Sequence, residues 1–401
     1  MKLRLILYVI GFSAFAGSLG QNLYTPLLAD MQKNLHTTSY MMSMTVSLFL
    51  VALAVMQVIF GSLADTKGRK KILIPALIVY AAASLGCAFS HSIGLFLVFR
   101  VLQGIGSAAI PVVGAAVIGD MFRGNELAKS MATYQLMLLL APAVGPLLGG
   151  VIGEKFGYQG VFLFLTAIIG LLLLANMKLL VETKPRGATA KPFALGSFGV
   201  IFQNHLSAVV LLYGFAQSVV YLVYIVFLPH ILGNLYHMAA GKIGVILLAM
   251  SASTIVSIKI GSWMRNQLGN KASLVFAFLL QSCTVILFAL TAHLSLPMLI
   301  GDVCLFGFAM GLTVSLPVTI LAEQFPEERA TAIGVYNLVR YLGMAVGPVV
   351  GARLYSDTDL KPLFLTSGLA FLGLVVIGAA WIGLKRGVLD SGPIFRNGTN
   401  G

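Results

Sequence analysis

Charge is scarce in this sequence. Only 10% of its 401 residues are Asp, Glu, Lys or Arg, and no more than 13 are acidic. A soluble domain carries about 25% charged residues, so a polar exterior facing water is excluded. Cysteine is scarce too. Cys87, Cys283 and Cys304 stand apart inside apolar runs, which gives no disulfide framework and no thiolate zinc site and leaves them as small buried hydrophobes. No His-Glu-x-x-His, Gly-x-Ser-x-Gly or Gly-x-x-x-x-Gly-Lys-Ser/Thr occurs, so an integral membrane hydrolase or a P-loop pump has no support. No catalytic residue, metal or cofactor is expected. The breaks between apolar runs are short and hold no soluble module, which speaks against a receptor or scaffold.

Apolar surface is what the chain has in excess: 58% of residues are hydrophobic, and the mean hydropathy is +0.95. Twelve runs of roughly membrane-crossing length follow one another, at about 5–31, 38–64, 72–91, 93–122, 127–153, 158–180, 205–232, 241–263, 272–293, 296–323, 330–353 and 362–384. The first is too long for a signal-peptide core and reads as a span. The longest polar break is Glu182–Asn204. The expected organisation is an all-α integral membrane protein of twelve transmembrane helices. Residues 1–181 form one six-helix half, 182–204 a cytoplasmic linker, 205–386 the second half and 387–401 a cytoplasmic tail.

Lys and Arg number 26, for a net charge of +13. In a soluble protein this excess would point to nucleic acid. Here the basic residues lie in short loops and set orientation, and no nucleic-acid partner is expected. Eighteen fall on the side of the termini and linker, among them Lys67, Arg69, Lys70, Lys71, Lys184 and Arg186. Five (Lys33, Lys155, Lys242, Arg353, Lys361) fall on the other side, while Arg100, Lys259 and Arg340 lie within spans. The bias puts both termini in the cytoplasm.

The halves resemble each other. Leu102-Gln103-Gly104 through Asp120-Met121-Phe122 aligns with Leu305-Phe306-Gly307 through Glu323-Gln324-Phe325 at a constant offset of 203. Downstream, Glu126, Ala128, Tyr134 and Ala143-Val144-Gly145-Pro146 match Glu328, Ala330, Tyr336 and Ala345-Val346-Gly347-Pro348 at an offset of 202. Parallel repeats of this kind build carriers whose site lies near the midplane between rocking halves.

Three motifs stand out. Gly61-Ser62-Leu63-Ala64-Asp65-Thr66-Lys67-Gly68-Arg69-Lys70-Lys71 joins the second and third spans, with a degenerate copy at Gly261, Arg265, Gly269 and Lys271. Arg100-Val101-Leu102-Gln103-Gly104-Ile105-Gly106-Ser107-Ala108 lies in the fourth span, and Ala141-Pro142-Ala143-Val144-Gly145-Pro146-Leu147-Leu148-Gly149-Gly150 in the fifth. Together they resemble the major facilitator superfamily, and within it the twelve-helix drug:proton antiporter branch, over nearly the whole chain. The resemblance implies the major facilitator fold of two pseudo-symmetric six-helix halves. It implies a conformational latch at Gly61, Asp65, Gly68 and Arg69, where a topology anchor is the alternative. It links Arg100, followed by Gln103 and Gly104, to proton transfer, where a snorkelling anchor is the alternative. For Pro142, Gly145, Pro146, Gly149 and Gly150 it implies an exporter's helix-five motif. Gly145 and Gly149 share a face that lets a neighbouring backbone approach, and Gly149 is expected to tolerate alanine better than leucine.

One departure bears on coupling. Family members often carry a membrane carboxylate in the first helix, whereas Gly20-Gln21-Asn22-Leu23-Tyr24-Thr25-Pro26 is uncharged and Asp30 falls at the outer rim. In this fold the first, fourth, seventh and tenth helices line the cavity, flanked by the second, fifth, eighth and eleventh. The candidate lining groups are Gln21, Asn22, Tyr24, Gln103, Gln135, Gln217, Tyr221, Tyr224, Tyr336 and Asn337. Arg340 lies near the midplane, and Asp302 is the carboxylate inside an apolar run and away from both of its ends. Arg100, Asp302 and Arg340 are the proton-coupling candidates. Asp120 and Glu323, at equivalent inner ends, are expected to form gating pairs.

The expected function is proton-coupled export of small amphiphilic compounds from a bacterium by a monomer in the inner membrane, with protons, lipid and a small-molecule substrate as partners. The alternative is export of a metabolite such as a sugar, amino acid or siderophore-like compound, since an anionic or neutral ligand suits Arg340 better than a lipophilic cation. The orientation is directly testable: a reporter active only outside the membrane, fused after Arg386, should be silent, and strong activity there would reverse the topology.

Overall fold

The computed structural model describes residues 2–184, 201, 203–325, 329–355 and 361–383. Most of the expected linker (185–200 and 202) and all of the expected tail (387–401) lie outside the described residues. Every regular element that is described is helical. Lipid offers no partner for a backbone N–H or C=O, so a spanning segment must satisfy these groups internally.

The helices are α1 (Leu3–Asn34), α2 (Ser39–Lys67), α3 (Arg69–Ala88), α4 (Ile93–Met121), α5 (124–156), α6 (158–179), α7 (His205–Asn234), α8 (240–268), α9 (270–291), α10 (Leu296–Gln324), α11 (Arg329–Leu354) and α12 (Lys361–Gly383). Among the described residues, ten helical stretches are long and apolar enough to cross a membrane. Two of these, Gly124–Leu179 and Ala240–Thr291, turn at Gly157 (φ 65°) and Gly269 (φ 77°). That left-handed backbone is nearly free of cost only for glycine, and the two turns convert ten helices into twelve passes. α1 is interrupted by a 3-10 turn at Thr25–Leu27, where Pro26 has no N–H to give. α10 bends at Ser315, just before Pro317.

Large apolar side chains such as Phe12, Val55, Leu171, Trp263, Phe276 and Ile377 are exposed all round the bundle. In water such a surface would drive aggregation; in a bilayer it faces lipid tails. The chain is a multi-pass membrane protein.

Packing repeats along the chain as the sequence does. α4 lies against α2 with Gly104 over the Phe49 carbonyl, and α10 lies against α8 with Gly307 over the Met250 carbonyl. α5 lies against α1 and α11 against α7. A methyl on Gly149 would collide with the Leu23 carbonyl, and one on Gly347 would sit 2.5 Å from the Val219 carbonyl. The residues before 184 and those after 201 form two packed sets, which meet where α2 runs against α11 and where α5 runs against α8.

The Gly149 contact means that alanine, though smaller than leucine, already carries a cost there. A single Cβ already meets backbone, which cannot rotate away, and overpacking of this sort costs about 1–3 kcal/mol. Gly149→Ala should lower the melting temperature of the detergent-purified protein by a few degrees. Gly170→Ala, at a helical site with nothing within 4 Å, should leave it unchanged or raise it. Equal melting temperatures for the two variants would show that α5 and α1 are not in backbone contact.

Candidate functional site

Between the two packed sets lies a cavity of about 510 Å³. Gln21 and Asn22 of α1, Gln135 of α5, Tyr221 of α7, and Asn337 and Arg340 of α11 reach it among Phe49, Leu138, Met250, Met310 and Met344. The repeat offset of 202 pairs Gln135 with Asn337, Pro142 with Met344, and Leu138 with Arg340, and all six line the cavity. At these three pairs the wall is pseudo-symmetric in position and differs in charge only at Leu138 and Arg340; Arg100 of α4 lines the cavity as well.

Five of the ten expected lining groups lie elsewhere. Tyr24 and Gln103 are buried behind the cavity wall and hold Arg100. Gln217 donates to Gln281 Oε1 (2.8 Å) and to Thr313 Oγ1. Tyr224 stacks on Phe306 at 3.9 Å between ring centroids and is flanked by Phe288 and Phe364. Tyr336 packs its ring on Gly214. In a protein-packed membrane helix a polar side chain finds a neighbouring helix at least as readily as a cavity. The structure also brings Tyr134, Ser251, Thr254 and Tyr341 to the wall. Tyr134 carried a signal, its match to Tyr336 in the repeat; Ser251 and Thr254 carried none.

Arg100 has 0% exposure, which removes the snorkelling alternative. Its Nε donates to Thr45 O (3.1 Å), Nη1 to Gly20 O (3.3 Å) and to Gln103 Oε1, and Nη2 to the Tyr24 hydroxyl (2.9 Å). The rings of Tyr24 and Phe49 face the guanidinium at 4.4 and 4.3 Å. Gln103 Nε2 in turn donates to Ser84 Oγ (2.8 Å). One side chain thus ties α1, α2 and α4 together, and through Gln103 reaches α3. Fixed dipoles and ring faces stand in for a counter-ion.

Asp302 is buried, accepts from Thr291 Oγ1 and does not line the cavity. Arg340 does line it, so the structure does not bring these two candidates together there. Lys259 is exposed, as a snorkelling lysine would be.

At the end of the bundle that carries the termini, ion pairs gather at the loop motif. Gly68 (φ 112°) ends α2 and turns the chain into α3. Arg69 is paired at 2.9 Å both with Asp65 and with Asp120 of α4. The Asp65 side chain is 54% exposed and Asp120 15%, so screening leaves the Asp120 pair the stronger. Glu182, just beyond α6, accepts from the Arg69 N–H (2.8 Å) and the Lys70 N–H (3.2 Å) at the α3 N-terminus. Partial burial raises its pKa, but backbone N–H groups of Arg69, Lys184, Lys70 and Lys71 outweigh this and hold its carboxyl below the ordinary range. In the other set Arg265 pairs with Glu323 at 2.9 Å, and Asn270 donates to the same carboxylate (2.8 Å). Each of these pairs stays within its own set.

Close backbone contacts between α5 and α8 lie on the opposite side of the cavity. A Cβ on Gly150 of α5 would strike the Ala240 carbonyl, and one on Gly244 of α8 would lie 2.5 Å from the Pro146 carbonyl. Gly241 N–H donates to Glu154 at 3.3 Å, and Ser251 Oγ to the Pro142 carbonyl at 3.4 Å. The fifth-helix motif thus has two faces: Gly145 and Gly149 seat α1, and Pro146 and Gly150 seat α8.

The family model of the Major Facilitator Superfamily matches residues 10–348 and 224–393. The chain belongs to the major facilitator superfamily. This is a family of transporters and not of enzymes, which answers the membrane-enzyme alternative. "Bicyclomycin resistance protein homolog" of Haemophilus influenzae is 26% identical over 381 residues, 90% of this chain and 92% of that protein, which agrees with the drug-efflux branch. "Citrate exporter 1" of Aspergillus niger is 32% identical over 182 residues, 45% of this chain, and the match spans only 34% of that protein's length. Among solved structures, a bacterial homologue of the human lysosomal transporter Spinster, inward-facing and unoccupied, superposes with a TM-score of 0.76 at 16% identity, covering 94% of this chain and 96% of that one.

Proposed function

We propose that this major facilitator protein is a proton-coupled exporter of small amphiphilic compounds that works by alternating access in a bacterial inner membrane. The observation that carries the reading is the cavity between the two sets, of drug-like size, with amide and phenol groups set in apolar walls. The glycine contacts of α5 with α8 support closure on one side. The ion pairs confined to each set on the termini side support opening there. The division at 1–181 and 205–386 supplies the two rocking bodies, and the basic loops put the termini side in the cytoplasm. The Gly61–Arg69 motif, with Asp120 and Glu182, then biases the equilibrium between states. The protein acts as a monomer.

Coupling needs a group that changes charge. Arginine does not release a proton in proteins, so Arg100 and Arg340 serve as fixed charges. Asp302 is the remaining candidate, buried on α10 with Thr291 as its described donor. Its place outside the cavity gives it an indirect role, acting through the packing of α10 on α8. In proteoliposomes Asp302→Asn should lose uphill, pH-driven transport and keep downhill exchange. Uphill transport with an unchanged pH profile would make Asp302 a bystander and move the search to Asp120 and Glu323.

A further inference from the structure

The two arginines near the cavity are not equivalent. Arg100 commits its guanidinium to two backbone carbonyls, an amide oxygen and a phenol. Arg340 is half-buried at the cavity wall with its Nε fully buried and unbonded. None of the described ion pairs includes it. Its described company is the Tyr336 ring, 5.6 Å away, with Tyr221 and Tyr341 within electrostatic range. Among the described residues no carboxylate lines the cavity, and Asp302 is turned to Thr291. A guanidinium drawn out of water with no counter-charge is unfavourable, and groups of this kind in membrane spans usually face a pathway.

The repeat shows where the charge was placed. Gln135 and Asn337 are both amides, whereas the place of Arg340 is taken on the other flank by Leu138. At this repeat pair the α11 flank is cationic and the α5 flank aliphatic; Arg100 of α4 also lines the cavity, but its three nitrogens are already hydrogen-bonded.

We infer that the cavity selects amphiphilic organic anions, which rests on the transport function and narrows its cargo. The anionic group, a carboxylate or sulfonate, sits on Arg340 beside Asn337 and Tyr341. The apolar body lies against Leu138, Phe49 and Met310. A lipophilic cation meets the same guanidinium with nothing to offset it. A planar, forked donor also suits a carboxylate better than a point charge does.

The test is counterflow in proteoliposomes of the full chain, with fluorescein as anionic probe, ethidium as cationic probe and chloramphenicol as neutral probe. Fluorescein should move and ethidium should not. Unlabelled amphiphilic carboxylates should compete with fluorescein on the unmodified protein, and matched ammonium compounds should not. Arg340→Gln should weaken fluorescein binding by about tenfold or more, the loss expected for one charge-assisted hydrogen bond, and should weaken chloramphenicol binding far less. Arg340→Lys should retain most of the anion binding. Equal movement of ethidium and fluorescein, or competition blind to charge, overturns the inference. Movement of chloramphenicol without fluorescein also overturns it and leaves the transport reading standing. If none of the probes moves, the transport reading fails and the inference fails with it.

Discussion

Backbone-to-backbone contact at glycine is the constraint on which the rest of this bundle depends. Lipid tails are as apolar as leucine, so helices in a bilayer gain little by hiding apolar side chains from it and associate through close packing. Gly104, Gly149, Gly307 and Gly347 each place a helix directly on a neighbouring carbonyl within one set of helices, and Gly150 and Gly244 do the same between the sets. The first group has no reason to part during a cycle. The second joins the two sets on the face that the proposed alternating access has to open.

Electrostatics divides along the same lines. Arg100 has each of its three nitrogens hydrogen-bonded inside one set and fastens four helices around it. Arg69 and Arg265 are paired within their own sets at the termini end. Arg340 is a cation at the boundary between the sets with its Nε unbonded. Arg100 and Arg340 both line the cavity, but Arg100 has each nitrogen bonded to neighbouring helices whereas Arg340 keeps its Nε without a partner.

Much of this was legible in the sequence. The twelve passes could be read because charge and Pro/Gly breaks punctuate nearly continuous apolar runs, and the gap between runs at about 153 and 158 contains Gly157, where the chain turns. The repeat offset located corresponding helices and, afterwards, corresponding cavity positions. Which face a residue occupies was far less legible. Tyr24 and Gln103 lie on lining helices yet point at Arg100, and Gln217 points at Gln281. Helical spacing gives relative faces but not the direction of the cavity. Glu182 was read only as the edge of a linker, because its role as a cap for Arg69 and Lys70 joins positions more than a hundred residues apart. Tyr341 reached the wall unannounced, next to an arginine that had drawn attention for its depth.

The central claim is that the α5–α8 glycine contact opens and closes as a gate. Double electron–electron resonance between spin labels at Lys155 and Lys242, both exposed on either side of that contact, tests it in nanodiscs with Cys87, Cys283 and Cys304 replaced. Two distance populations should appear, their balance should shift between acid and alkaline pH, and Gly150→Leu should remove the shorter one. A single distance under every condition, unchanged by Gly150→Leu, would make the contact fixed packing and contradict alternating access through this gate.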